Sequence, residues 1–197
     1  MERLILATRN RGKARELGGL LATLAHRLES LEAHPGVLLP AEGDRSYAEN
    51  ALAKARAVQA ALGAPAIGDD SGLEVDFLGG DPGIRSARYA GAEATDASNN
   101  RLLLERLRGV PAAERNARFR CVLALVRGEG DELVVSGTCE GSILERPRGS
   151  KGFGYDPLFL PRGEAHTFAE LPPETKERIS HRARAAAALR EALGRGE

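Results

Sequence analysis

The stretch that decides the fold is Ala64-Pro65-Ala66-Ile67-Gly68-Asp69-Asp70-Ser71-Gly72-Leu73-Glu74-Val75, in which an apolar run leads into two adjacent carboxylates. The apolar run predicts a short buried strand over residues 64–68. The polar residues 69–72 predict that this strand stops there, and residues 73–75 predict that strand structure then resumes. Neighbouring carboxylates repel each other unless they share a cation or a proton, so this strand end is a candidate functional site.

Predicted helices and strands alternate on both sides of this stretch. A strand over residues 3–7 precedes a helical pattern that continues through Leu24, and Ser46 begins an alanine-rich helix that ends near Gly63. Farther along, the pattern predicts a helix over 96–107, paired strands over 118–126 and 132–138, a short strand over 157–161 and a last helix over 174–193. This order favours an α/β fold in which helices flank a mixed β-sheet.

The composition of the chain excludes several classes of protein. Its 28 Lys and Arg residues balance 28 Asp and Glu residues, so we expect neither nucleic acid nor a membrane surface as a partner. The longest apolar run, Cys121 to Val126, is far shorter than the ~20 residues of a membrane span, and the first residues do not resemble a secretory signal. Two cysteines without metal-ligand spacing predict free thiols in the cytoplasm.

Two segments have features of a phosphate site: residues 8–13, and the helix over residues 46–63 that contains Lys54. Residues 8–13 are predicted to form a strand-to-helix turn, where unpaired backbone N–H groups and the helix dipole favour an anion. The chain has four lysines against 24 arginines, and all four lie in candidate functional segments: Lys13, Lys54, Lys151 and Lys176. Lysine supplies a compact charge that the planar guanidinium of arginine does not reproduce. An ordinary capped turn and a solvated lysine on the 46–63 helix are the alternatives.

The acidic residues predict a divalent cation. Mg²⁺ in proteins is commonly held by one or two carboxylates together with substrate phosphates, and Asp69 and Asp70 supply such carboxylates. Glu42 and Glu49 are further candidates. For Glu49, its position three residues after Ser46 is explained equally well by a helix capping box. For the acidic couple, the alternative is a solvated turn.

The glycine-rich segment 149–157 predicts a platform for a flat ligand. It contains two of the eight aromatic residues of the chain, Phe153 and Tyr155. Glycines let a ligand approach the backbone, Phe153 offers a stacking face, and Asp156 can accept a hydrogen bond from a ring N–H. The alternative is a turn with two core aromatics. Near the last helix, Lys176 and residues 180–182 (Ser-His-Arg) form either a set of donors or a solvated helix end.

Five segments occur in an order that resembles the inosine triphosphate pyrophosphatase family, the Ham1-like or RdgB-type XTP/dITP pyrophosphatases. They are residues 8–13, 47–51, 69–73, 152–157 and 180–182. The resemblance covers nearly the whole chain and implies one domain over residues 1–197, with two lobes and a central cleft in the fold shared with Maf-like proteins. It also implies a homodimeric, cytoplasmic, Mg²⁺-dependent enzyme that converts ITP, dITP and XTP to the monophosphate and pyrophosphate.

The resemblance also implies a role for individual residues. Asp70 would be the general base, and Asp70, Glu42 and Glu49 would be the candidate metal ligands; here Ala41 precedes Glu42, where relatives often have two adjacent acidic residues. The substrate would be bound by Thr8, Arg9, Asn10, Arg11, Gly12, Lys13 and Lys54 at the triphosphate, by Ser71 beside the base, and by Phe153, Gly154, Tyr155, Asp156, Lys176, His181 and Arg182 at the nucleoside. Donors from His181 and Arg182 would match the 6-oxo group of hypoxanthine or xanthine and reject the 6-amino group of adenine.

Two alternatives are considered. A Maf-like pyrophosphatase that acts on pyrimidine or modified triphosphates would share the fold but have a different base pocket, and residues 153–156 and 180–182 argue against it. A non-catalytic nucleotide sensor would gain little from adjacent carboxylates that repel the phosphates it must bind, so Asp69 and Asp70 argue against that function.

Overall fold

A single mixed sheet runs through the chain. The computed structural model describes residue 1, residues 3–25 and residues 27–194. Its elements in chain order are β1 (Arg3–Ala7), α1 (Arg11–Leu21), β2 (Arg27–Ser30), α2 (Tyr47–Leu62), β3 (Ala66–Val75), α3 (Asp96–Arg106), β4 (Asn116–Gly128), β5 (Asp131–Ile143), β6 (Phe159–Pro161), α4 (Pro173–Ile179) and α5 (His181–Gly194), with short 3₁₀ turns between several of them.

The six strands lie in the order β2-β1-β3-β4-β5-β6. β1 pairs in parallel with both β2 and β3, and β5 pairs in antiparallel fashion with β6, so the sheet is mixed. Only two residues, Glu129 and Gly130, connect β4 to β5, and a connection this short makes neighbouring strands antiparallel. The predicted α/β fold with a mixed sheet and flanking helices is confirmed.

The chain divides into two compact units. The first consists of Met1–Asp70, Cys121–Gly137 and the chain from His181 onward, and the second consists of Ser71–Arg120 and Thr138–Ser180. Among the described residues, no helix combines the length and the apolar character that crossing a bilayer requires.

The first unit has a hydrophobic core on each face of its part of the sheet. On one face, Ile67 and Leu123 of the strands pack with Leu17 of α1 and Leu189 of α5. On the opposite face, a smaller cluster contains residues of β1, β3 and α2, among them Ile5, Ala66 and Val58. Helices therefore cover both faces, as expected for the part of the sheet in which β2, β1 and β3 run parallel.

The second unit has one core that is rich in aromatic residues. Phe119 of β4 lies 4.7 Å from Phe159 of β6 between ring centroids, and Phe159 lies 5.2 Å from Phe168. Leucines of α3, including Leu103, belong to the same cluster. These tilted aromatic pairs hold β6, a strand of only three residues, against the longer strands.

The boundaries of α2 follow the predicted caps. The Ser46 side chain accepts a hydrogen bond from the backbone N–H of Glu49, and Gly63 ends the helix in the left-handed conformation with φ of 58°. Ser46 and Gly63 therefore cap the two ends of α2 where the sequence predicted.

Two predicted elements differ clearly from those in the structure, and one strand was not predicted. β3 continues through residues 69–72, where the strand was predicted to stop, because the buried carboxylates in this segment have charged and polar partners. The predicted last helix is two helices, since Ser180 between α4 and α5 has extended backbone angles (φ −67°, ψ 161°). β2 was not predicted, because its four residues have no strong apolar pattern.

Gly137 of β5 provides a test of how closely the sheet and α5 pack. A Cβ atom at this position would lie 2.3 Å from both Ala185 N and His181 O, which are backbone atoms that cannot rotate away. We expect Gly137→Ala to lower the free energy of unfolding by about 3 kcal/mol, measured by urea denaturation.

The control for this substitution is Gly18→Ala in α1. A Cβ atom at Gly18 meets nothing within 4 Å. An alanine inside a helix is better than a glycine, so this variant is expected to gain about 0.5–1 kcal/mol. Equal stability of the two variants would show that β5 and α5 can separate at no cost.

Candidate functional site

Asp69 and Asp70 lie inside β3, so their side chains point to opposite faces of the sheet. Asp69 is on the face of Ile67, which packs with α1 and α5. Asp70 is on the face of Gly68, where a Cβ atom would lie 1.9 Å from the carbonyl oxygen of Ala51 in α2. Both aspartates are buried: 1% of Asp69 and 2% of Asp70 is exposed. The predicted end of the strand at these residues is wrong, as is the solvated-turn alternative, and strand geometry gives the two carboxylates mainly different partners.

The Asp69 carboxylate is the centre of a buried charge network. Lys13 Nζ lies 2.5 Å from Oδ1, Arg182 Nε lies 3.8 Å from Oδ2, and the Cys121 thiol donates a hydrogen bond to Oδ2 at 3.2 Å. Arg182 also donates to Glu16 of α1 at 2.8 Å. One carboxylate thus connects β3 to α1, β4 and α5.

Opposing effects determine the charge state of this network. Burial disfavours the charged form of Asp69, but Lys13 and Arg182 outweigh burial and hold the pKa of Asp69 well below its ordinary value. Burial and the charge of Asp69 together raise the pKa of the Cys121 thiol well above its ordinary value. Asp69 is therefore a permanent anion, and Cys121 remains a protonated donor.

Asp70 has a different environment on the face that α2 covers. Asn50 Nδ2 donates a hydrogen bond to Oδ2 at 2.8 Å, and Lys54 Nζ lies 3.8 Å from Oδ1. Burial raises the pKa of Asp70, because the nearby charges of Lys54 and Lys13 offset the loss of hydration only in part. Of the two aspartates, Asp70 is thus the more basic, which suits a group that accepts a proton.

Lys54 connects the groups around Asp70. Its Nζ donates to the carboxylate of Glu42 and, at 3.0 Å, to the backbone carbonyl of Asp69. Asn50, four residues earlier on α2, donates to the carbonyl of Gly43 and accepts from its N–H. The predicted shared face of Asn50 and Lys54 is confirmed, and this face holds the residue 42–43 loop beside Asp70.

The turn at residues 8–13 uses its polar side chains to begin α1. Asn10 is the N-cap, and its Oδ1 accepts from the backbone N–H of Lys13 at 3.0 Å. Thr8 Oγ1 accepts from the backbone N–H of Asn10 at 3.2 Å, and Gly12 lies inside the first turn of the helix. The capped-turn alternative therefore describes the local geometry, and contact of these residues with a triphosphate stays a prediction.

Two arginines of this turn hold the loop that follows β2. The Arg9 guanidinium donates to four backbone carbonyls at 2.7–3.2 Å, those of Leu31, His34, Pro35 and Val37. Arg11 forms an exposed ion pair with Glu32 at 3.0 Å. These contacts favour a structural role for both side chains, and of the six residues it is Lys13 whose side chain contacts the acidic couple.

In the second unit, the Asp156 carboxylate organises the glycine-rich loop. Its Oδ2 accepts from the backbone N–H of Phe153 at 2.9 Å and from Lys176 Nζ at 2.5 Å. Gly152 has a φ of 76°, and a Cβ atom there would lie 2.0 Å from the same oxygen. Lys176 Nζ also lies 5.2 Å from the centroid of the half-buried Phe153 ring, a favourable cation–π distance. Three predicted substrate-binding residues thus lie together.

Tyr155 belongs to the core of the second unit. Its residue exposure is 4%, and its phenol donates a hydrogen bond to the carbonyl of Ser86 at 2.9 Å. Burial raises the pKa of Tyr155 far above its ordinary value. This geometry favours an anchoring role for Tyr155, so one of the two loop aromatics is a core residue and Phe153 is the one left for stacking.

The remaining predicted site residues lie in several places. His181 and Arg182 are buried at the start of α5 in the first unit, Lys176 is buried in α4 of the second, and Ser71 is half-buried in β3. Glu49 and Lys151 are exposed. The sequence analysis gave no role to Glu16 or Cys121, and no local pattern marks either, because both become important only through contacts with distant residues.

The donor set around Asp70 fits a divalent cation completed by a substrate. Within the described part of the chain, no three His, Cys, Asp or Glu side chains are grouped so that they could hold a metal ion. Asp70 and Glu42 both contact Lys54 and offer hard carboxylate oxygens. Two carboxylates with phosphate oxygens and water in the other positions are typical of Mg²⁺ sites in proteins that act on nucleotides.

Comparison with known proteins gives a consistent family. The model of the Ham1 family matches residues 4–192. A dITP/XTP pyrophosphatase of Geobacter sulfurreducens is 48% identical over 194 residues, which are 98% of each chain, and one of Pseudomonas aeruginosa is 50% identical over 98% of each chain. The solved HAM1 protein of Coxiella burnetii superimposes with a TM-score of 0.87 at 38% identity, covering 99% of this chain and 100% of that one.

Proposed function

The chain belongs to the Ham1 family, and from this premise we propose that it hydrolyses deaminated purine nucleoside triphosphates to the monophosphate and pyrophosphate. The proposed substrates are ITP, dITP and XTP. The observation that carries the proposal is the arrangement around Asp70, a buried carboxylate with a raised pKa beside Lys54 and Glu42. A base next to cations and a metal-binding carboxylate is what hydrolysis of a phosphoric anhydride requires.

In this proposal Asp70 accepts a proton from the water that attacks the α-phosphorus. Asn50 holds Oδ2 by its hydrogen bond, and Oδ1, which lies 3.8 Å from Lys54 Nζ, is the oxygen proposed to accept the proton. Lys13 and Lys54 stabilise the negative charge that develops on the phosphate oxygens, and the permanent charge of Asp69 keeps Lys13 in place.

We assign Mg²⁺ to Asp70 and Glu42, with Glu49 as a further candidate ligand. Bound Mg²⁺ would neutralise charge on the pyrophosphate leaving group. Lys54 lies between the two proposed ligands, so it would have to share their oxygens with the cation. Glu49 is exposed and begins α2, so its assignment rests on the family resemblance.

A second set of residues is proposed to bind the nucleobase of the substrate. The half-buried Phe153 ring offers a stacking face, and Asp156 and Lys176 offer an acceptor and a donor. His181 and Arg182 would donate to the 6-oxo group, with Arg182 held meanwhile by Glu16. The backbone around Thr8, Asn10 and Gly12, with Ser71, is proposed for the phosphates and ribose.

Three further features of the family resemblance are part of the proposal: residues 1–197 act as one catalytic domain, the chain forms a homodimer, and it works in the cytoplasm. Sedimentation of the purified protein tests the dimer directly.

The test of the proposed function is product analysis with a panel of nucleotides. ITP, dITP, XTP, ATP, GTP and dTTP are incubated with the protein, with and without Mg²⁺, and products are separated by anion-exchange chromatography. We expect monophosphate and pyrophosphate from ITP, dITP and XTP in the presence of Mg²⁺, and rejection of ATP by ~10⁴-fold. Preference for dTTP would favour a Maf-like activity, and tight binding of ITP without products would favour a sensor.

A further inference from the structure

Two side chains of α3 bracket the backbone of Gly154 in the glycine-rich loop. The Gly154 N–H donates to Asp96 Oδ2 at 2.7 Å, and Asn100 Nδ2 donates to the Gly154 carbonyl at 2.9 Å. Asp96 and Asn100 are four residues apart and therefore lie on one face of the helix. This face of α3 grips one residue of the loop by both of its backbone polar groups.

The bracketed residue follows Phe153, the proposed stacking platform. Gly154 has a φ of 62°, in the left-handed region that glycine enters easily, and glycine also leaves it easily. The two hydrogen bonds fix the peptide on each side of Gly154. From the other direction, Asp156 fixes the N–H of Phe153. The backbone that carries the Phe153 ring is thus held by α3 on one side and by Asp156 on the other.

Asn100 takes no part in capping α3, whereas Asp96 lies in its first turn, where an acidic side chain interacts favourably with the helix dipole. Thr95 and Ser98 already form a complete capping box at its N-terminus. Leu103 packs α3 into the core, and the neighbouring Asn99 links the helix to the chain before it, since its side chain bonds to the backbone of Ser86, Ala87 and Ala90. Asp96 is exposed and Asn100 is half-buried, so each is free of that structural task.

We propose that Asp96 and Asn100 are positioning residues for the nucleobase, which act by holding Gly154 so that the Phe153 ring and Asp156 stay in the arrangement that receives a purine. This inference rests on the proposed function, because it assigns the loop to the base of the substrate. If the loop is released, the binding-competent conformation becomes a fraction of the population, and the apparent affinity for base-containing ligands falls by that fraction.

The experiment compares two ligands that both contain phosphate, of which only IMP carries a base. IMP and inorganic pyrophosphate are titrated by calorimetry, in the presence of Mg²⁺, into the full-length protein and into Asp96→Ala and Asn100→Ala. We expect each variant to bind IMP about tenfold more weakly and pyrophosphate with unchanged affinity. Asp96→Asn keeps an acceptor oxygen for the Gly154 N–H and is expected to restore most of the IMP affinity. Glu105→Ala, exposed on the same helix, is the matched control and should equal the wild type.

Three results would overturn the inference. Wild-type affinity for IMP in both alanine variants would show that the hydrogen bonds of Asp96 and Asn100 to Gly154 do not position the base. Equal weakening of IMP and pyrophosphate would show a general loss of structure. A wild-type protein that binds no IMP would overturn the proposed function as well, so the two failures are distinguishable. Should Asp96→Ala unfold in a thermal scan, Asn100→Ala, which leaves the first turn of α3 intact, decides the question.

Discussion

Asp70→Asn is expected to lower kcat for ITP by about 10³-fold while ITP still binds, because an amide cannot accept the proton of the attacking water. The substitution keeps the size of the side chain, and its amide oxygen can still accept from Asn50 Nδ2. Lys54 also keeps the carboxylate of Glu42 as a partner. The fold and the cationic groups for the triphosphate should therefore survive.

Single-turnover kinetics and equilibrium titration of ITP measure these two effects separately. Asp131→Asn is the control, since Asp131 forms an exposed ion pair with Arg127 at the start of β5. This control should turn over ITP like the wild type. Undiminished turnover by Asp70→Asn would remove Asp70 from the role of general base, and a variant that fails to bind ITP would show that Asp70 serves binding instead.

Asp69→Ala is expected to lower the stability of the fold. Removing this carboxylate leaves Lys13 and Arg182 without their shared buried anion, and breaking a buried ion pair in this way typically costs about 3–5 kcal/mol. The Cys121 thiol would also lose its acceptor. We expect the free energy of unfolding, measured by urea denaturation, to fall by this amount.

Asp131→Ala is the matched control for the stability measurement. It removes the same side chain from an exposed ion pair, for which the expected loss is about 0–1 kcal/mol. If Asp69→Ala were as stable as this control, the network around Asp69 would not hold α1, β4 and α5 to β3. Together, the variants at positions 69 and 70 separate a structural carboxylate from a chemical one, although the two residues are adjacent.

Most helices and strands were predicted correctly because the residues that begin and end them lie next to those elements in the sequence. Ser46 and Gly63 bound α2 where predicted, and the short turn between β4 and β5 lies where glycines were found. The scarcity of lysine was also informative, since Lys13, Lys54 and Lys176 each contact a buried carboxylate. The last helix was predicted as one, although Ser180 has an extended backbone and lies directly before α5, where serine is a preferred N-cap residue.

By itself, the sequence determined the class of fold, the family and the residues of chemical interest: an acidic couple, a few lysines and two aromatic residues in a glycine-rich loop. The tertiary structure alone decided which partners surround each of them. Strand alternation sends Asp69 and Asp70 to opposite faces, so that one is held charged by Lys13 and the other is made basic by burial. The residues of these networks lie far apart in the chain, since Glu16 and Arg182 are separated by 166 positions, and a local pattern carries no information about contacts at that range.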